Sequence, residues 1–268
     1  KKFMEEQIAN CDAVINFAAE TFVDRSINDA NPFLVSNIRG AYTILDIITK
    51  QKKRMIQIST DEVFGSLENG TADEQSKLNP SSPYAATKAA AELLANSYSV
   101  TYDSDVIITR CTNNYGPRQF AEKLIPKTIL LANKDMKIPI YGKGTNIRDW
   151  IYVDDHCDAV LMTLLNGKSG KSYNISANNE IDNLTVVRKI LEIMNKSEDL
   201  IDFVEDRPGH DFRYSMDSKK ISDELGWRVK SNFDYGLRKT IQWYLDHPDT
   251  LNNVSSTVLD STPWKNQL

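Results

Sequence analysis

The chain has 268 residues, of which 32 are Lys or Arg and 37 are Asp or Glu, so its formal net charge is −5, and 41% of its residues are hydrophobic. A chain of this length and composition can bury a sizeable core, and its acidic balance argues against nucleic acid or anionic membranes as general partners. Its three cysteines, Cys11, Cys111 and Cys157, lie far apart without metal-ligand spacing, which favours a cytoplasmic protein with reduced thiols and no metal site.

The first half of the chain alternates short apolar runs with helical patterns. The predicted strands are apolar runs bounded by polar residues, and they cover residues 12–19, 55–60 and 106–110. The predicted helices repeat apolar residues at helical spacing, and they cover residues 1–10, 32–50 and 83–102. Alternation of this kind predicts an α/β fold in which a parallel sheet is flanked by helices.

Turns become denser after Tyr115-Gly116-Pro117. A short strand is predicted over residues 137–141, and helices are predicted over residues 153–165, 185–194 and 233–247. We therefore expect residues 1–115 to form one domain, to which residues 150–170 return. Residues 116–268 are expected to form a smaller α/β lobe folded onto it.

Two carboxylates stand where the second predicted strand ends. Thr60, Asp61 and Glu62 follow the apolar run at residues 55–58, and ligands bind at the carboxyl edge of parallel sheets. A turn or a helix cap would also explain these residues. Neighbouring carboxylates whose pKa values are pushed apart can instead act as acid and base. We favour that interpretation, with the Thr60 hydroxyl placed to bond a substrate oxygen.

A tyrosine and a lysine lie four residues apart at the start of the third predicted helix. Tyr84 and Lys88 share a helix face, and the ammonium is expected to lower the pKa of the phenol, so that tyrosinate takes a hydroxyl proton near neutral pH. A Tyr-x-x-x-Lys pair alone is common by chance and would suit a surface pair. The helix entry at residues 80–83 and the strand before it favour the catalytic interpretation.

The sequence contains no G-x-G-x-x-G or G-x-x-G-x-x-G motif among its 11 glycines. A dinucleotide fold normally opens with a strand, a glycine-rich turn and a helix that holds the pyrophosphate. At about 30 residues for each strand-helix-strand unit, roughly 60 to 80 residues would precede Lys1 in a complete protein. We expect a Rossmann-like doubly wound parallel sheet without its N-terminal glycine-rich unit, as in a fragment. Natural loss of the turn is the alternative.

Further polar residues follow in loops. Asn113 and Asn114 come after the third predicted strand, and their amides suit a ligand at the same sheet edge. Arg148 and Arg207 are candidate clamps for a diphosphate, because guanidinium binds phosphate bidentately. His210 would reach a phosphate or a ribose. Solvated surface arginines are the alternative interpretation.

Taken together, these residues resemble the extended short-chain dehydrogenase/reductase superfamily and, within it, the dTDP-glucose 4,6-dehydratases. The resemblance runs over most of the chain, from residue 12 to residue 247. It is carried by the triplet at 60–62, the pair Tyr84 and Lys88, and the motifs at residues 16–20, 23–26, 110–117, 122–126, 139–144, 148–150 and 207–211. The triplet discriminates best, because sugar 4-epimerases of the superfamily usually lack the acidic pair.

The resemblance implies a lyase of deoxysugar biosynthesis that converts dTDP-glucose to dTDP-4-keto-6-deoxyglucose. The sugar is oxidised at C4, loses water across C5 and C6 and is reduced at C6, with NAD recycled. In this scheme Tyr84 deprotonates the C4 hydroxyl, Glu62 takes the C5 proton and Asp61 protonates the departing C6 hydroxyl. Thr60 and Lys88 complete the implied catalytic set.

The same correspondence makes residues 1–115 the remainder of an NAD-binding Rossmann domain and residues 116–268 a nucleotide-sugar-binding lobe, and it assigns the binding residues. NAD is expected at Ala18, Ala19, Glu20, Ser36, Tyr84, Lys88 and Asn114. The nucleotide sugar is expected at Thr60, Asn113, Lys123, Leu124, Pro139, Tyr141, Arg148, Asn183, Arg207 and His210. The family also implies a homodimer joined through the helices at residues 32–50 and 83–102.

Three features depart from the family pattern. The missing glycine-rich turn bears on NAD binding, Phe22 stands where the family usually has histidine beside the substrate, and Ala121 replaces a usual proline. The alternatives are a UDP-sugar 4,6-dehydratase or 4-epimerase of the same superfamily. From another class, a non-catalytic nucleotide-sugar-binding protein that lacks the cofactor turn is a further alternative.

Overall fold

The computed structural model describes residues 1–252 and 254–265. Its α-helices are α1 (Lys2–Ala9), α2 (Val23–Asn28), α3 (Asn31–Phe33), α4 (Ala41–Gln51), α5 (Pro83–Tyr102), α6 (Leu124–Asn133), α7 (Val153–Asn166), α8 (Asn183–Ile193), α9 (Lys219–Leu225), α10 (Phe233–Asp246) and α11 (Asp249–Asn252). A π-helix covers Leu34–Gly40, and 3₁₀ turns cover Asp61–Phe64, Glu198–Leu200, Ser256–Leu259 and Pro263–Lys265. The strands are β1 (Ala13–Asn16), β2 (Arg54–Thr60), β3 (Val106–Cys111), β4 (Asn113–Tyr115), β5 (Ile138–Tyr141), β6 (Ile147–Tyr152), β7 (Ser172–Ile175), β8 (Glu180–Asp182) and β9 (Ile201–Val204).

The main sheet consists of four parallel strands in the order β1-β2-β3-β7. Its two central strands are buried, as expected for a parallel sheet covered on both faces. The register of β2 and β3 pairs Met55 with Val106 and Thr60 with Cys111. This register brings the polar residues after β2 and β3 to the same edge. The predicted Rossmann-like parallel sheet is confirmed.

Helices pack on both faces of this sheet. On one face, Leu45 of α4 and Ala95 of α5 contact the cluster that contains Met55 and Val106. On the other face, Ala159 of α7 joins a cluster with strand residues that include Ile107. Each fully buried aliphatic side chain stabilises the fold by about 1.5–3 kcal/mol. The two clusters therefore hold the sheet edge, and the side chains on it, in a fixed position.

The second half adds two small sheets, β4-β6-β8 and β5-β9. Their core combines Tyr115 with residues of α6, α8 and α10, such as Ile125, Ile190 and Leu237, which are at most 1% exposed. The chain returns to the main sheet through α7 and β7. The domain limits at residues 1–115, 150–170 and 116–268 stay a prediction.

The helix predicted at residues 32–50 has a π-helical segment in its middle. Asn37 lies in that segment with 2% of its surface exposed. Its amide oxygen accepts a bond from Glu20 N at 2.8 Å, and its amide nitrogen donates to Glu20 O at 3.1 Å and to Thr87 Oγ1 at 2.9 Å. π-Segments are frequent at functional sites. Here the segment ties the loop after β1 to α5.

Within the described part of the chain, no helix is long and apolar enough to cross a membrane.

Candidate active site

The 3₁₀ turn at Asp61–Phe64, which we call the acidic turn, begins where β2 ends. The Thr60 hydroxyl accepts a bond from Glu62 N at 3.3 Å and donates to Asp61 Oδ1 at 3.0 Å, so it caps the 3₁₀ turn and holds both carboxyls. Gly65 ends the turn with φ at +72°, and a Cβ there would lie 2.2 Å from Asn79 O. Only glycine fits that position without strain. The turn therefore fixes where Asp61 and Glu62 point.

The two carboxyls titrate in unusual surroundings. Burial, reinforced by the charge of Glu62, raises the pKa of Asp61 to about 8, although Thr60 and Arg148 lower it. Asp61 is 3% exposed, and its Oδ2 has no hydrogen-bond partner among the described residues. Burial also raises the pKa of Glu62, against the charges of Arg207, Arg148 and Lys123. Asp61 is therefore protonated at neutral pH, as a general acid must be.

Tyr84 and Lys88 lie together on the first turns of α5. Ser82 caps this helix by accepting a bond from Ala85 N at 3.1 Å, and Pro83 occupies its first turn. Both Tyr84 and Lys88 are buried, at 7% and 6% exposed. The Lys88 ammonium donates to Ile58 O at 2.7 Å. The helix thus sets the phenol beside the carboxyl edge of β2.

The prediction that Lys88 lowers the pKa of Tyr84 is wrong for this structure. Burial, and after it the charge of Glu62, raises the phenol pKa well above its usual value, and only the bond with Thr60 among the principal causes opposes this shift. The Lys88 ammonium is engaged by the Ile58 carbonyl instead. Burial also lowers the pKa of Lys88. Tyr84 is therefore a neutral phenol here, and a positive charge must approach it before it can act as a base.

A cavity of about 190 Å³ opens beside Glu62. Nine of the ten residues predicted to bind the nucleotide sugar line it: Asn113, Lys123, Leu124, Pro139, Tyr141, Arg148, Asn183, Arg207 and His210. The tenth, Thr60, lies directly before the acidic turn that supplies Glu62 to the wall. The structure thus brings residues separated by almost a hundred positions into one site.

Four cationic side chains line this cavity, and the contacts of Lys123, Arg148 and Arg207 show how they are held. The Arg148 guanidinium lies 4.2 Å from the Tyr214 ring centroid and donates to Asp211 O at 2.9 Å. Arg207 Nη1 is 3.4 Å from Asp24 Oδ1. Lys123 Nζ donates to Thr21 O at 2.6 Å. These side chains are fixed by carbonyls, a ring or one carboxylate, which leaves their charge for an anionic ligand.

His210 closes the same wall as a neutral side chain. Its Nδ1 lies 2.6 Å from Asp206 Oδ1. Burial, with the charges of Arg207 and Arg148, lowers its pKa to about 4 even though Asp206 raises it. His210 is therefore a hydrogen-bonding residue at neutral pH, and it adds no charge to the cavity.

Sequence reasoning missed four charged or hydroxyl-bearing residues of the wall, which are Asp24, Glu122, Lys127 and Tyr214. The Tyr214 hydroxyl donates to Asp211 Oδ2 at 2.6 Å and lies 3.4 Å from Glu62 Oε2. Asp24, 3% exposed, accepts a bond from the Tyr141 hydroxyl at 2.9 Å. Asp24 lies within the motif at residues 23–26, and Tyr214 lies three residues after the motif at residues 207–211, both of which carried the resemblance. Their proximity to those motifs was the available signal.

Phe22 and Ala121 take different places. Phe22 lines the cavity, and its ring centroid is 5.6 Å from Lys123 Nζ and 5.4 Å from the Arg25 guanidinium. The aromatic ring thus contacts cations through its face. Ala121 is 2% exposed and belongs to the core of the second half.

The residues predicted to bind NAD lie apart from this cavity. Ala18, Ala19 and Glu20 follow β1, Ser36 lies in the π-helix, and Asn114 lies in β4. Ala18 N donates to Asn16 Oδ1 at 3.2 Å. Ala18, Ala19 and Glu20 thus come just after the carboxyl end of β1, and Asn114 comes three residues after β3, at the edge where ligands bind in such sheets.

The residues present fit one end of NAD. Asn114 Oδ1 and Ser59 Oγ are buried without a hydrogen-bond partner in the described ranges, and such atoms in native structures mark places where a ligand or water belongs. With Tyr84 and Lys88 they suit the ribose and nicotinamide. No glycine-rich turn in the sequence suits the pyrophosphate.

Residues 1–252 and 254–265 contain no group of His, Cys, Asp and Glu that could hold a metal ion.

Comparisons with known proteins agree with this geometry. A family model described as GDP-mannose 4,6 dehydratase matches residues 2–240. A probable dTDP-glucose 4,6-dehydratase of Sinorhizobium fredii is 44% identical over 254 residues, which are 88% of this chain and 73% of that protein. The dTDP-glucose 4,6-dehydratase of Mycolicibacterium smegmatis is 46% identical over 255 residues, covering 94% of this chain and 77% of its own length.

A solved structure shares the fold. DesIV, a dTDP-glucose 4,6-dehydratase from Streptomyces venezuelae crystallised with NAD and TYD bound, matches with a TM-score of 0.91 at 40% identity. The match covers 92% of this chain and 77% of DesIV. The family model, the relatives and this structure point the same way as the acidic turn and the Tyr84–Lys88 pair. The chain therefore belongs to the dTDP-glucose 4,6-dehydratases, within the extended short-chain dehydrogenase/reductase superfamily.

Proposed function

We propose that this chain is an NAD-dependent hydro-lyase that dehydrates dTDP-glucose to dTDP-4-keto-6-deoxyglucose. One observation carries the proposal: a buried carboxylic acid, Asp61, stands next to a second carboxyl, Glu62, which lines a cavity together with several cations. An elimination needs an acid and a base on neighbouring carbons, and a diphosphate needs fixed cations. Relatives that carry the name dTDP-glucose 4,6-dehydratase support the same conclusion.

The residues divide the work by their protonation. Tyr84, once a nearby positive charge has lowered its pKa and it has released its own proton, accepts the C4 hydroxyl proton, and Thr60 bonds the oxygen that becomes the ketone. The ketone acidifies C5, so Glu62 removes the C5 proton. Asp61, whose pKa lies at about 8, donates its proton to the C6 hydroxyl as water leaves. Two adjacent carboxyls thus perform opposite tasks.

We assign the ribose and nicotinamide end of NAD to Tyr84, Lys88 and Asn114. When bound, NAD would supply the oxidation at C4 and the reduction at C6, and its oxidised form would bring the positive charge that the phenol needs. Burial of Tyr84 excludes water from the proton that it accepts. The Lys88 ammonium is held in place by its hydrogen bond to the Ile58 carbonyl.

A 4-epimerase is the alternative within the superfamily, and exchange at C5 separates the two. An epimerase has no use for a base at C5, whereas Glu62 takes that proton in the proposed reaction. Turnover of dTDP-glucose in D₂O should therefore place deuterium at C5 of a 4-keto-6-deoxy product, as read by NMR. A product that keeps its C5 hydrogen and differs only at C4 would contradict the proposal.

The diphosphate is assigned to Arg148 and Arg207. Arg207→Lys keeps the charge but loses the planar fork, so KM for dTDP-glucose should rise by about tenfold while kcat stays within about threefold. Steady-state kinetics measure both values. Arg188→Lys, in an exposed ion pair with Glu198, is the matched control and should leave both values unchanged. A fall in kcat that is larger than the rise in KM would instead indicate that Arg207 takes part in the chemical steps.

A homodimer through the helices at 32–50 and 83–102 is part of the proposal. Leu93 and Val100, 61% and 79% exposed, lie seven residues apart on α5 and hence on one face. Leu34, Val35 and Tyr42 of the neighbouring helices are 47–51% exposed. Exposed apolar side chains grouped in this way mark an interaction surface.

Charges on that face should break the dimer. We expect Leu93→Asp with Val100→Asp to raise the dimer dissociation constant by at least about a hundredfold, since each buried unpaired charge costs several kcal/mol. Sedimentation velocity measures the change. Leu161→Asp, on α7 and 52% exposed, is the control. A wild-type monomer, or a dimer that survives the double change, would refute this interface.

A cytoplasmic location likewise stays a prediction. Cys11, Cys111 and Cys157 are free thiols in the structure.

A further inference from the structure

The far wall of the cavity is formed by an aromatic ring that is held from behind. Tyr141 lines the cavity, and the Trp264 ring packs edge-on against it with centroids 4.6 Å apart and an interplanar angle of 81°. Trp264 is 7% exposed. Edge-to-face aromatic pairs stabilise by about 0.5–1.5 kcal/mol beyond their buried area. A residue near the end of the chain therefore fixes the position of a cavity wall.

The segment around Trp264 is anchored to both halves of the protein. We call residues 260–265 the C-terminal strap. Asn28 Nδ2 of α2 donates to Pro263 O at 2.7 Å, and Lys127 Nζ of α6 donates to Asp260 O at 2.6 Å. Lys265 forms an ion pair with Glu205. These bonds join elements that are distant in sequence, so the strap position is defined by tertiary contacts.

The other end of Tyr141 leads to the cations of the cavity. Its hydroxyl donates to Asp24 Oδ2 at 2.9 Å, and Asp24 Oδ1 lies 3.4 Å from Arg207 Nη1. A displacement of the Tyr141 ring therefore disturbs Asp24 and, through it, the guanidinium assigned to the diphosphate. The strap also engages Lys127, a second residue of the wall.

We propose that Trp264 and the C-terminal strap are positioning elements for the nucleotide end of the site. Trp264 touches neither the acidic turn nor Tyr84 in any contact of the structure, and it acts through Tyr141, whose ring offers a flat surface to a nucleobase. The strap thus sets affinity for the nucleotide and leaves the chemical steps alone. This inference rests on the proposed function, because it requires a nucleotide diphosphate in the cavity.

Calorimetric titration with thymidine diphosphate tests the inference without turnover. Trp264→Ala should raise the Kd by about three- to tenfold, which is the loss of one aromatic pair. Trp264→Phe keeps a ring and should change the Kd by less than about twofold. Asn28→Ala loosens the strap without altering the cavity wall and should weaken binding in the same direction. Trp243→Ala, which removes a ring stacked on His247 at 4.5 Å, is the control.

In steady-state kinetics the same Trp264→Ala protein should show a higher KM and an unchanged kcat. Wild-type protein that binds thymidine diphosphate, with Trp264→Ala and Asn28→Ala binding equally well, would overturn the inference and leave the proposed function standing. A fall in kcat as large as the rise in KM would also overturn it, because it indicates a general structural role. Absence of binding by the wild type would overturn the proposed function together with the inference.

Discussion

Replacing Tyr84 with phenylalanine should lower kcat for dTDP-glucose by about three orders of magnitude while the nucleotide still binds. The change removes the one phenolic oxygen assigned to the C4 hydroxyl proton, and positioned proton transfer contributes about 10²–10⁴-fold. The ring and its packing against Phe33 remain, because their centroids lie 6.3 Å apart and no contact there uses the hydroxyl. Loss of kcat without loss of affinity is the signature of a group that acts in the transition state.

Tyr98→Phe is the matched control for this change. Tyr98 lies on the same helix, and its ring contacts Tyr102 at 5.0 Å, away from the acidic turn. Rates from product formation and affinities from titration with thymidine diphosphate provide the comparison. A Tyr84→Phe protein that retains a tenth or more of the wild-type kcat would remove Tyr84 from the chemistry.

The second large effect is expected at Asp61. Asp61→Asn cannot donate a proton to the leaving hydroxyl, so dehydration should slow by about 10²–10⁴-fold. In the wild type, kcat/KM should fall as the pH rises through about 8, because the acid then loses its proton. The residual activity of Asp61→Asn should lack this alkaline limb. A pH profile of both proteins decides the point, and an unchanged limb in the variant would assign it to another group.

The same substitution should stabilise the folded protein. The pKa of Asp61 is about 8 when folded and its usual value is 3.8, so the unfolded chain loses this proton at lower pH than the folded one. The resulting cost to folding is absent below pH 3.8, grows as the pH rises, and is complete above pH 8. Asp61→Asn should therefore gain roughly 4–6 kcal/mol at pH 8 and almost nothing near pH 4. Denaturant unfolding at the two pH values measures the gain; a variant less stable at pH 8 would contradict it.

Local signals explain which elements could be predicted from the sequence. The helix predicted at residues 83–102 matches α5, because Ser82, Pro83 and the alanine-rich faces specify its start and length. The π-helix at Leu34–Gly40 could not be predicted, since it accompanies bonds from Asn37 to Glu20 and Thr87 that exist only in the folded protein. Residues 125–132 of α6 are all buried, so the sequence shows no polar face to reveal a helix.

Charged residues concealed β6. Asp149 is 1% exposed because its carboxylate accepts bonds from Ser176 Oγ at 2.5 Å, Ala177 N at 3.0 Å and Asn179 N at 2.7 Å. The compensation comes from a loop almost thirty positions later. A buried strand that contains two adjacent charged residues, Arg148 and Asp149, can be predicted only when the partners of those charges are known.

The site shows the same division. Resemblance to the family located the residues of the cavity wall, and the structure brings nine of the ten into contact with one cavity. The raised pKa of Tyr84 could not be predicted from its spacing to Lys88, because burial is its main cause, the charge of Glu62 adds to it, and the Ile58 carbonyl engages the Lys88 ammonium. The bond between Tyr214 and Glu62 spans 152 positions and likewise has no local signal.

The most direct measurement is mass spectrometry of the purified protein after incubation with NAD and either dTDP-glucose or UDP-glucose. We predict that dTDP-glucose loses one water and UDP-glucose does not. The Asp61→Asn/Glu62→Gln double variant should abolish that loss. An epimerase would survive the double change and yield a product of unchanged mass. A wild-type protein that binds NAD and dTDP-glucose and releases no water would contradict the proposed dehydration.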